Sequence, residues 1–569
     1  MAGSSCRQPV RSTNLTFMRL KKTLVITAAA ALLLPAVPAH ACTNLIAGKK
    51  ATTDGSVMVT YAADSHTLYG ALYHQPAAKH KPGTMRKVVE WDTGKYMGEI
   101  PEVEQTYNVV GNMNEHQVVI AESTWGGLPE LQDTTGNSII DYGSLIYITL
   151  QRAKTAREAI DIMADLVDKY GYASSGESFS IADKDEVWVM EMIGKGAEKG
   201  AVWIAVRIPD DAISGHANEP RIRKVNLKDK KNVKYAKDLI PFARRRGYFK
   251  GKDEDFSFAD AFEHHTVSTR RGCDARVWSY FRRFNPEMEK YYNWCAGIDN
   301  EPMPLYIIPD RKVSLKDMQE RMRDHFEDTP FTMTDDIGAG PNKVPYRWRP
   351  MDWKVDGKTY CNERAIATQQ TGWHFVSQSR ADKPDPVGGI LWFGTDDTNT
   401  SVYMPFYCSM TEIPKEVSVD NGDLLTFSPT SNFWMNNWVA NQAYNRYDLM
   451  IPDIRKVQGA LESEFIANRK ATDEALTALY NAGQMDALVK AVNEEGAQVA
   501  SKATDTYRNL AQYLLVRFLD GNRKKVDENG NFIYTKDHMP VSPDFPGYND
   551  EYYRNIVRET GNHFLLPDE

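Results

Sequence analysis

Cysteine is scarce in this chain, and its spacing excludes more than its number. The six cysteines, Cys6, Cys42, Cys273, Cys295, Cys361 and Cys408, never form a CxxC pair, so no zinc cluster is expected. Positive charge is not in excess either. Lys and Arg total 68 against 76 acids, a formal net charge of -8, which excludes general nucleic-acid binding because nothing is left over to neutralise phosphates. Beyond Leu34 there are no long apolar runs, and no transmembrane span is expected there. Internal repeats and low-complexity tracts are also missing. What remains is an ordinary globular composition, 42% hydrophobic and 25% charged, on 569 residues, enough chain for a large core.

The one long apolar run stands near the start. Met18-Arg19-Leu20-Lys21-Lys22 is a short positive stretch, Thr23 to Leu34 is apolar, and Pro35-Ala36-Val37-Pro38 breaks any helix. Ala39-His40-Ala41 then puts small residues three and one places before a cut. This reads as an export signal over residues 1–41, with Met18 as an alternative start, and the run is too short to span a bilayer comfortably. Those residues hold five basic side chains and no acid, so their removal takes the net charge from -8 to -13. The expected product is exported, periplasmic or extracellular, and carries no membrane attachment after processing.

Cleavage after Ala41 would make Cys42 the first residue, with a thiol and a free α-amine on one residue. A thiol titrates near 8.5 and an α-amine at about 7.7–8.0, so the unprotonated amine takes the thiol proton, directly or through water. Attack on a carbonyl gives a thioester that water clears, with the oxyanion held by backbone N–H groups or an Asn amide. This chemistry needs no His–Asp partner, metal or organic cofactor, and none is expected. Two other readings use the cysteines differently. Cys42 is a lipid anchor in a ligand-binding lipoprotein, although Ala39 and His40 fit the usual anchor signal poorly. Alternatively Cys273 or Cys361 pairs with His374 in a Cys/His protease, although neither stands in a recognisable nucleophile context. With Cys6 and Cys42 set aside, the other four cysteines suit either two disulfides or buried free thiols.

The pattern along the chain is α+β. Thr43–Gly48 and Val57–Ala62 read as strands joined by a turn bearing Asp54-Gly55, a hairpin that returns Tyr61 and Asp64 beside Cys42. Val118–Ser123 is a third strand. Tyr142–Tyr170 carries apolar residues at helical spacing, with a break near Lys154-Thr155. Strands are expected at 178–182, 186–193 and 201–208, and again at 389–394 and 401–406. Arg244-Arg245-Arg246 reads as a solvated helix face. From Asn436 to Leu519 the pattern is helical, with breaks at Gly483 and Gly496, and a Gly-, Pro- and Asp-rich tail follows.

Several short stretches, in order, carry a family resemblance. Cys42-Thr43, Gly48-Lys49-Lys50-Ala51, Asp54-Gly55-Ser56 and Asp64 resemble the start of the dipeptidase A family of cysteine peptidases, a branch of the N-terminal nucleophile hydrolases. Asn114-Glu115-His116, Glu186 to Glu191, Val206 to Asp210, Ala217 to Ile222, Arg276-Val277-Trp278 and Phe284-Asn285-Pro286 are similar to its later signatures. The resemblance implies a four-layer αββα sandwich over residues 42–414 and a further helical C-terminal region over 415–569. It implies an exported dipeptidase acting on small peptides, with a homo-oligomer compatible with the sequence. The alternative on the same fold is an N-acyl amide hydrolase resembling bile salt and penicillin V acylases. Cys42 would be the nucleophile and its amine the base, with Asp64 holding the amine or orienting the thiol. Asn218 would donate to the oxyanion and Arg276 would steady the charge. Thr124, or Ser123, falls where the wider superfamily has a second Asn. Tyr61 departs from the pattern: the family usually has Arg there, and a phenol cannot replace a permanent cation in charge control or carboxylate recognition. Glu122, Glu191 and Asp64 are the carboxylates that favour a substrate with a free α-ammonium.

Overall fold

Two antiparallel sheets, stacked face to face, organise the chain that follows Cys42. The computed structural model describes residues 42 to 567; the expected export signal and its cleavage junction lie outside them. In chain order the main strands are β1 (Asn44–Ala47), β2 (Val57–Asp64), β3 (His74–Gln75), β4 (Val109–Val110), β5 (Met113–Asn114), β6 (Val119–Trp125), β7 (Gly176–Ala182) and β8 (Val187–Lys195). They continue as β9 (Glu198–Ile208), β10 (Ile213–His216), β11 (Val233–Tyr235), β12 (Tyr306–Ile307), β13 (Thr371–Ser379), β14 (Ile390–Thr395) and β15 (Met404–Tyr407). The first sheet has the order β12-β10-β1-β2-β13-β14-β15, and the second β11-β9-β8-β7-β6-β5-β4-β3.

The expected first hairpin forms. Ile46 lies opposite Val59 and Ala47 opposite Met58, and a bridge between Thr43 and Ala62 closes its open end. Both strands are buried along their whole length because helices cover one face of the sheet and the second sheet covers the other. Such strands read as continuous apolar runs and not as alternation. Val187 to Lys195, Val-Trp-Val-Met-Glu-Met-Ile-Gly-Lys, is the same case on the second sheet.

Helices α1 (Tyr142–Leu150) and α2 (Ala156–Tyr170) lie on the second sheet. The break between them falls where expected, because Thr155 caps α2 by accepting the Glu158 N–H. Ala159, Ile160, Met163, Leu166 and Val167 form its buried stripe. Helix α3 (Ala275–Arg282) packs against β10. Helices α4 (Asn432–Ala443), α5 (Tyr447–Asn481) and α6 (Met485–Arg517) cover the outer face of the first sheet near β14 and β15. The result is an αββα sandwich with a helical C-terminal region.

Two expectations need correction or completion. Gly483 separates α5 from α6 at φ +70°, but Gly496 lies inside α6. A Cβ there would stand 2.8 Å from the Met410 sulfur, so Gly496 serves the close approach of helix to sheet and breaks nothing. The other open question was the cysteines: Cys273, Cys295, Cys361 and Cys408 are all free thiols. Arg245 and Arg246 sit on an exposed helix end, and Arg244 and Arg245 pair there with Asp253 and Glu198. No helix among the described residues is long and apolar enough to cross a membrane.

Candidate active site

Cys42 lies at the seam between the two sheets, 3% exposed, one residue before the bridge that opens β1. Its Sγ donates to Glu122 Oε1 at 3.4 Å and lies 3.6 Å from the Tyr61 hydroxyl. Tyr61 in turn donates a short hydrogen bond to the same Glu122 oxygen. The strand pattern explains this meeting. Tyr61 is on β2, opposite Phe375 of β13, and Glu122 is on β6, whose face packs against β1 and β2. Asn44 fastens the seam by donating from Nδ2 to the Glu122 carbonyl.

Burial pushes the Cys42 thiol well up, and the nearby charges of Glu122 and Asp64 push it further. In this setting the thiol holds its proton until a base removes it. A hydrogen bond from the Asp64 main chain and one from Tyr61 act the other way.

Arg276 is the most connected side chain of the site. Its Nη1 donates to the Cys42 carbonyl and to Thr43 Oγ1, each at 2.8 Å, and its Nη2 donates to Asn218 Oδ1 at 2.8 Å and the Ala217 carbonyl at 3.1 Å. It is 1% exposed, and burial, then the neighbouring Arg364, bring its pKa down to about 10. Asn218 follows β10 with φ +57°, a left-handed conformation that Asn tolerates better than most residues. Its Nδ2 donates to the Thr124 carbonyl at 2.5 Å and its N–H to Ser123 Oγ at 3.2 Å. Thr124 Oγ1 donates to Glu177 Oε2 at 3.2 Å, while Ser123 Oγ meets His216 Nδ1 at 2.6 Å. The structure therefore brings Cys42, Tyr61, Asp64, Thr124, Asn218 and Arg276 into one neighbourhood.

Asp64 is not arranged as the sequence alone suggests. Its carboxylate is 1% exposed and is taken by an ion pair with Arg364 and by the Thr371 hydroxyl at 2.6 Å. Burial raises its pKa, and Arg364 and Thr371 pull it back. Asp64 acts on the thiol in two opposed ways: its charge pushes the thiol pKa up, and its main-chain hydrogen bond pulls it down. Arg364 also supplies a permanent cation near a hairpin where Tyr61 stands in place of the family's Arg. No local pattern marks Arg364, which lies 300 positions from its partner. Glu177 was missed for the same reason: it joins the site only because it lies opposite Thr124, diagonal to Glu122 on one sheet face. Glu191 belongs elsewhere. It pins the Arg221 and Ile222 N–H groups, and burial raises its pKa to about 7. His374 is buried against Ser401 and Tyr403.

Among the described residues no group of His, Cys, Asp and Glu is arranged to hold a metal ion. A surface cleft of about 1150 Å³, lined by Arg221, Arg223, His265, Arg270 and Trp294, does not include Cys42.

A buried thiol thus stands at the head of an αββα sandwich, with a guanidinium clamped to its own carbonyl. The sequence model of peptidase family C69 matches residues 41–460, and the chain belongs to that family of cysteine peptidases. It is 24% identical over 82% of its length to a probable dipeptidase of Latilactobacillus sakei, 93% of which is covered. It is 24% identical over 74% of its length to dipeptidase A of Lactobacillus helveticus, 84% of which is covered. Among solved structures, penicillin V acylase from Agrobacterium tumefaciens aligns with 67% of this chain and 89% of its own at 10% identity, with a TM-score of 0.28, too loose a likeness to argue from.

Proposed function

We propose that this peptidase is an exported dipeptidase whose nucleophile is Cys42, released as the first residue when the leader is cut after Ala41. The observation that supports it best is the setting of Cys42 itself. It stands one residue inside the match to the family, its carbonyl is gripped by Arg276, and its sulfur meets the polar side chains of Tyr61 on β2 and Glu122 on β6. Burial and two carboxylates hold the thiol protonated, so the chain needs a base at the sulfur. The α-amine created by cleavage is three bonds from Sγ, along N–Cα–Cβ–Sγ, and supplies that base at neutral pH. Thioester formation expels the C-terminal amino acid as an amine, and water then releases the N-terminal one. Export and activation become one event, and the uncut chain is inert.

Sequencing the mature N-terminus together with dipeptide turnover by Cys42→Ala tests this. A chain beginning at Cys42 and loss of turnover by at least about 10⁴-fold are expected, as for removal of a nucleophile. A diacylglyceryl adduct on Cys42, or full activity in Cys42→Ala, overturns the reading.

A further inference from the structure

We propose that the carboxyl pair Glu122 and Glu177 is the subsite that takes the α-ammonium of the substrate, and that it restricts the enzyme to peptides with a free N-terminus. The proposal rests on Cys42 being the nucleophile and adds what the site selects.

Glu122 and Glu177 are 2% and 0% exposed, and they lie diagonally on one face of the β6–β7 ladder. Each has one oxygen occupied: Glu122 Oε1 by the Cys42 thiol and Tyr61, Glu177 Oε2 by Thr124. The other two, Glu122 Oε2 and Glu177 Oε1, take no hydrogen bond from any further group among the described residues, the two carboxyls facing only each other. Buried carboxyl oxygens without a donor cost free energy, so a group that supplies N–H bonds and positive charge there is strongly favoured. No Lys or Arg among the described residues donates to these two oxygens. Burial, then the neighbouring Glu122, push the Glu177 carboxyl well up, so without substrate the pair holds a proton that an incoming ammonium displaces. Asp64, by contrast, has Arg364 and Arg276 beside it. Carboxyl groups therefore gather on the β6–β7 side of the sulfur and guanidinium groups on the β2 side.

The distances suit a dipeptide. Along N–Cα–C, an α-nitrogen lies about 2.5 Å from its own carbonyl carbon. A carbonyl poised for attack sits about 3–3.5 Å from the nucleophile. An ammonium so placed falls within a few ångströms of Sγ, and Glu122 Oε1 is 3.4 Å from Sγ. The subsite thus reaches the amine of the residue whose carbonyl is attacked. Acylating that amine removes its charge and two of its donors and leaves the carboxyl pair unmatched. Tyr61 holds Glu122 from the β2 side, and an Arg at that position would bring its own cation to the pair.

The test uses the processed chain beginning at Cys42 and the probes Ala-Ala and N-acetyl-Ala-Ala. Calorimetry on Cys42→Ala reads binding without chemistry, so it stands even if the nucleophile is reassigned. Ala-Ala should bind at least about 10²-fold more tightly than its N-acetyl form, the scale for losing one partner of a buried charge contact. In active enzyme, kcat/KM should show the same preference. In calorimetry on the Cys42→Ala background, where the thiol is gone, Glu122→Gln, and independently Glu177→Gln should either variant fail to fold, should weaken Ala-Ala binding about 10²-fold while leaving N-acetyl-Ala-Ala binding within about threefold. Equal binding of the two probes overturns the proposal. So does a loss that is equal for both probes, which assigns the pair to the thiol or to the fold. Loss of turnover in Cys42→Ala with the binding preference intact supports both readings; retained turnover with the preference intact overturns only the nucleophile.

Discussion

The Arg364–Asp64 pair permits a quantitative test of how this site is held. Both partners are buried, with side-chain exposures of 9% and 0%. Two unit charges about 4 Å apart attract by about 4 kcal/mol at an effective dielectric of about 20, and both have already lost their hydration. Arg364→Met deletes the cation and strands the carboxylate of Asp64. Only the Thr371 hydroxyl and the more distant Arg276 then remain to compensate it. Breaking a buried pair from one side costs about 3–5 kcal/mol. On roughly 2 cal/mol/K of unfolding entropy per residue, that lowers Tm of a chain this long by about 3–5 °C. The double variant Arg364→Met/Asp64→Asn removes the stranded charge and should recover most of the loss. The coupling in the double-mutant cycle is expected at about 2 kcal/mol or more. The pH sense is fixed as well. The Asp64 pKa is raised in the fold, so its ionisation costs stability as pH rises above the ordinary carboxylate range, and Arg364→Met should steepen that loss. Calorimetric Tm at pH 5 and pH 8 reads both effects. Additive single-variant losses, or a Tm of Arg364→Met that is insensitive to pH, refute the reasoning.

Three further outcomes follow from particular contacts. Arg276→Met leaves the Cys42 and Ala217 carbonyls, Thr43 and Asn218 without their shared donor; turnover should fall by at least about 10²-fold, with a loss of about 3–5 kcal/mol in denaturant unfolding. Asp396, 1% exposed and raised to about 8 by burial, is protonated in the fold where the unfolded chain is ionised. Its stabilising effect is present below about pH 4 and lost as pH rises to about 8, so Asp396→Asn should match the parent in unfolding free energy near pH 4 and exceed it by a few kcal/mol at pH 8. Gly48→Ala puts a Cβ 2.5 Å from the Asp210 carbonyl oxygen, a backbone atom that cannot swing away. Thermal unfolding should show a loss of about 1–3 kcal/mol, and an unchanged Tm would mean that the 209–212 turn yields.

Local pattern carried far in this protein. The Asp54-Gly55 turn between two apolar runs determined the β1–β2 hairpin, and with it the return of Tyr61 and Asp64 to Cys42. The helical stripe and the Thr155 cap determined α1 and α2. Each of these depends on residues within a few positions of one another, where turn chemistry and side-chain period act directly. Gly496 shows the limit. Its sequence context reads as a helix break, and only the approach of Met410 reveals a glycine needed for close packing.

The site divides in the same way. Cys42 and the short stretches around Asp64, Asn218 and Arg276 are visible in the sequence because each keeps its own neighbours. The partners of those residues are not. Whether Asp64 faces an amine or a guanidinium depends on Arg364, 300 residues later, and whether Glu122 is alone depends on the register that sets Thr124 opposite Glu177. Charge balance around a buried thiol is a sum over every element packed against it, and strand register and sheet stacking alone determine which elements those are. The sequence singled out Cys42; the stacking of two sheets decided which ionisable groups stand on each side of it.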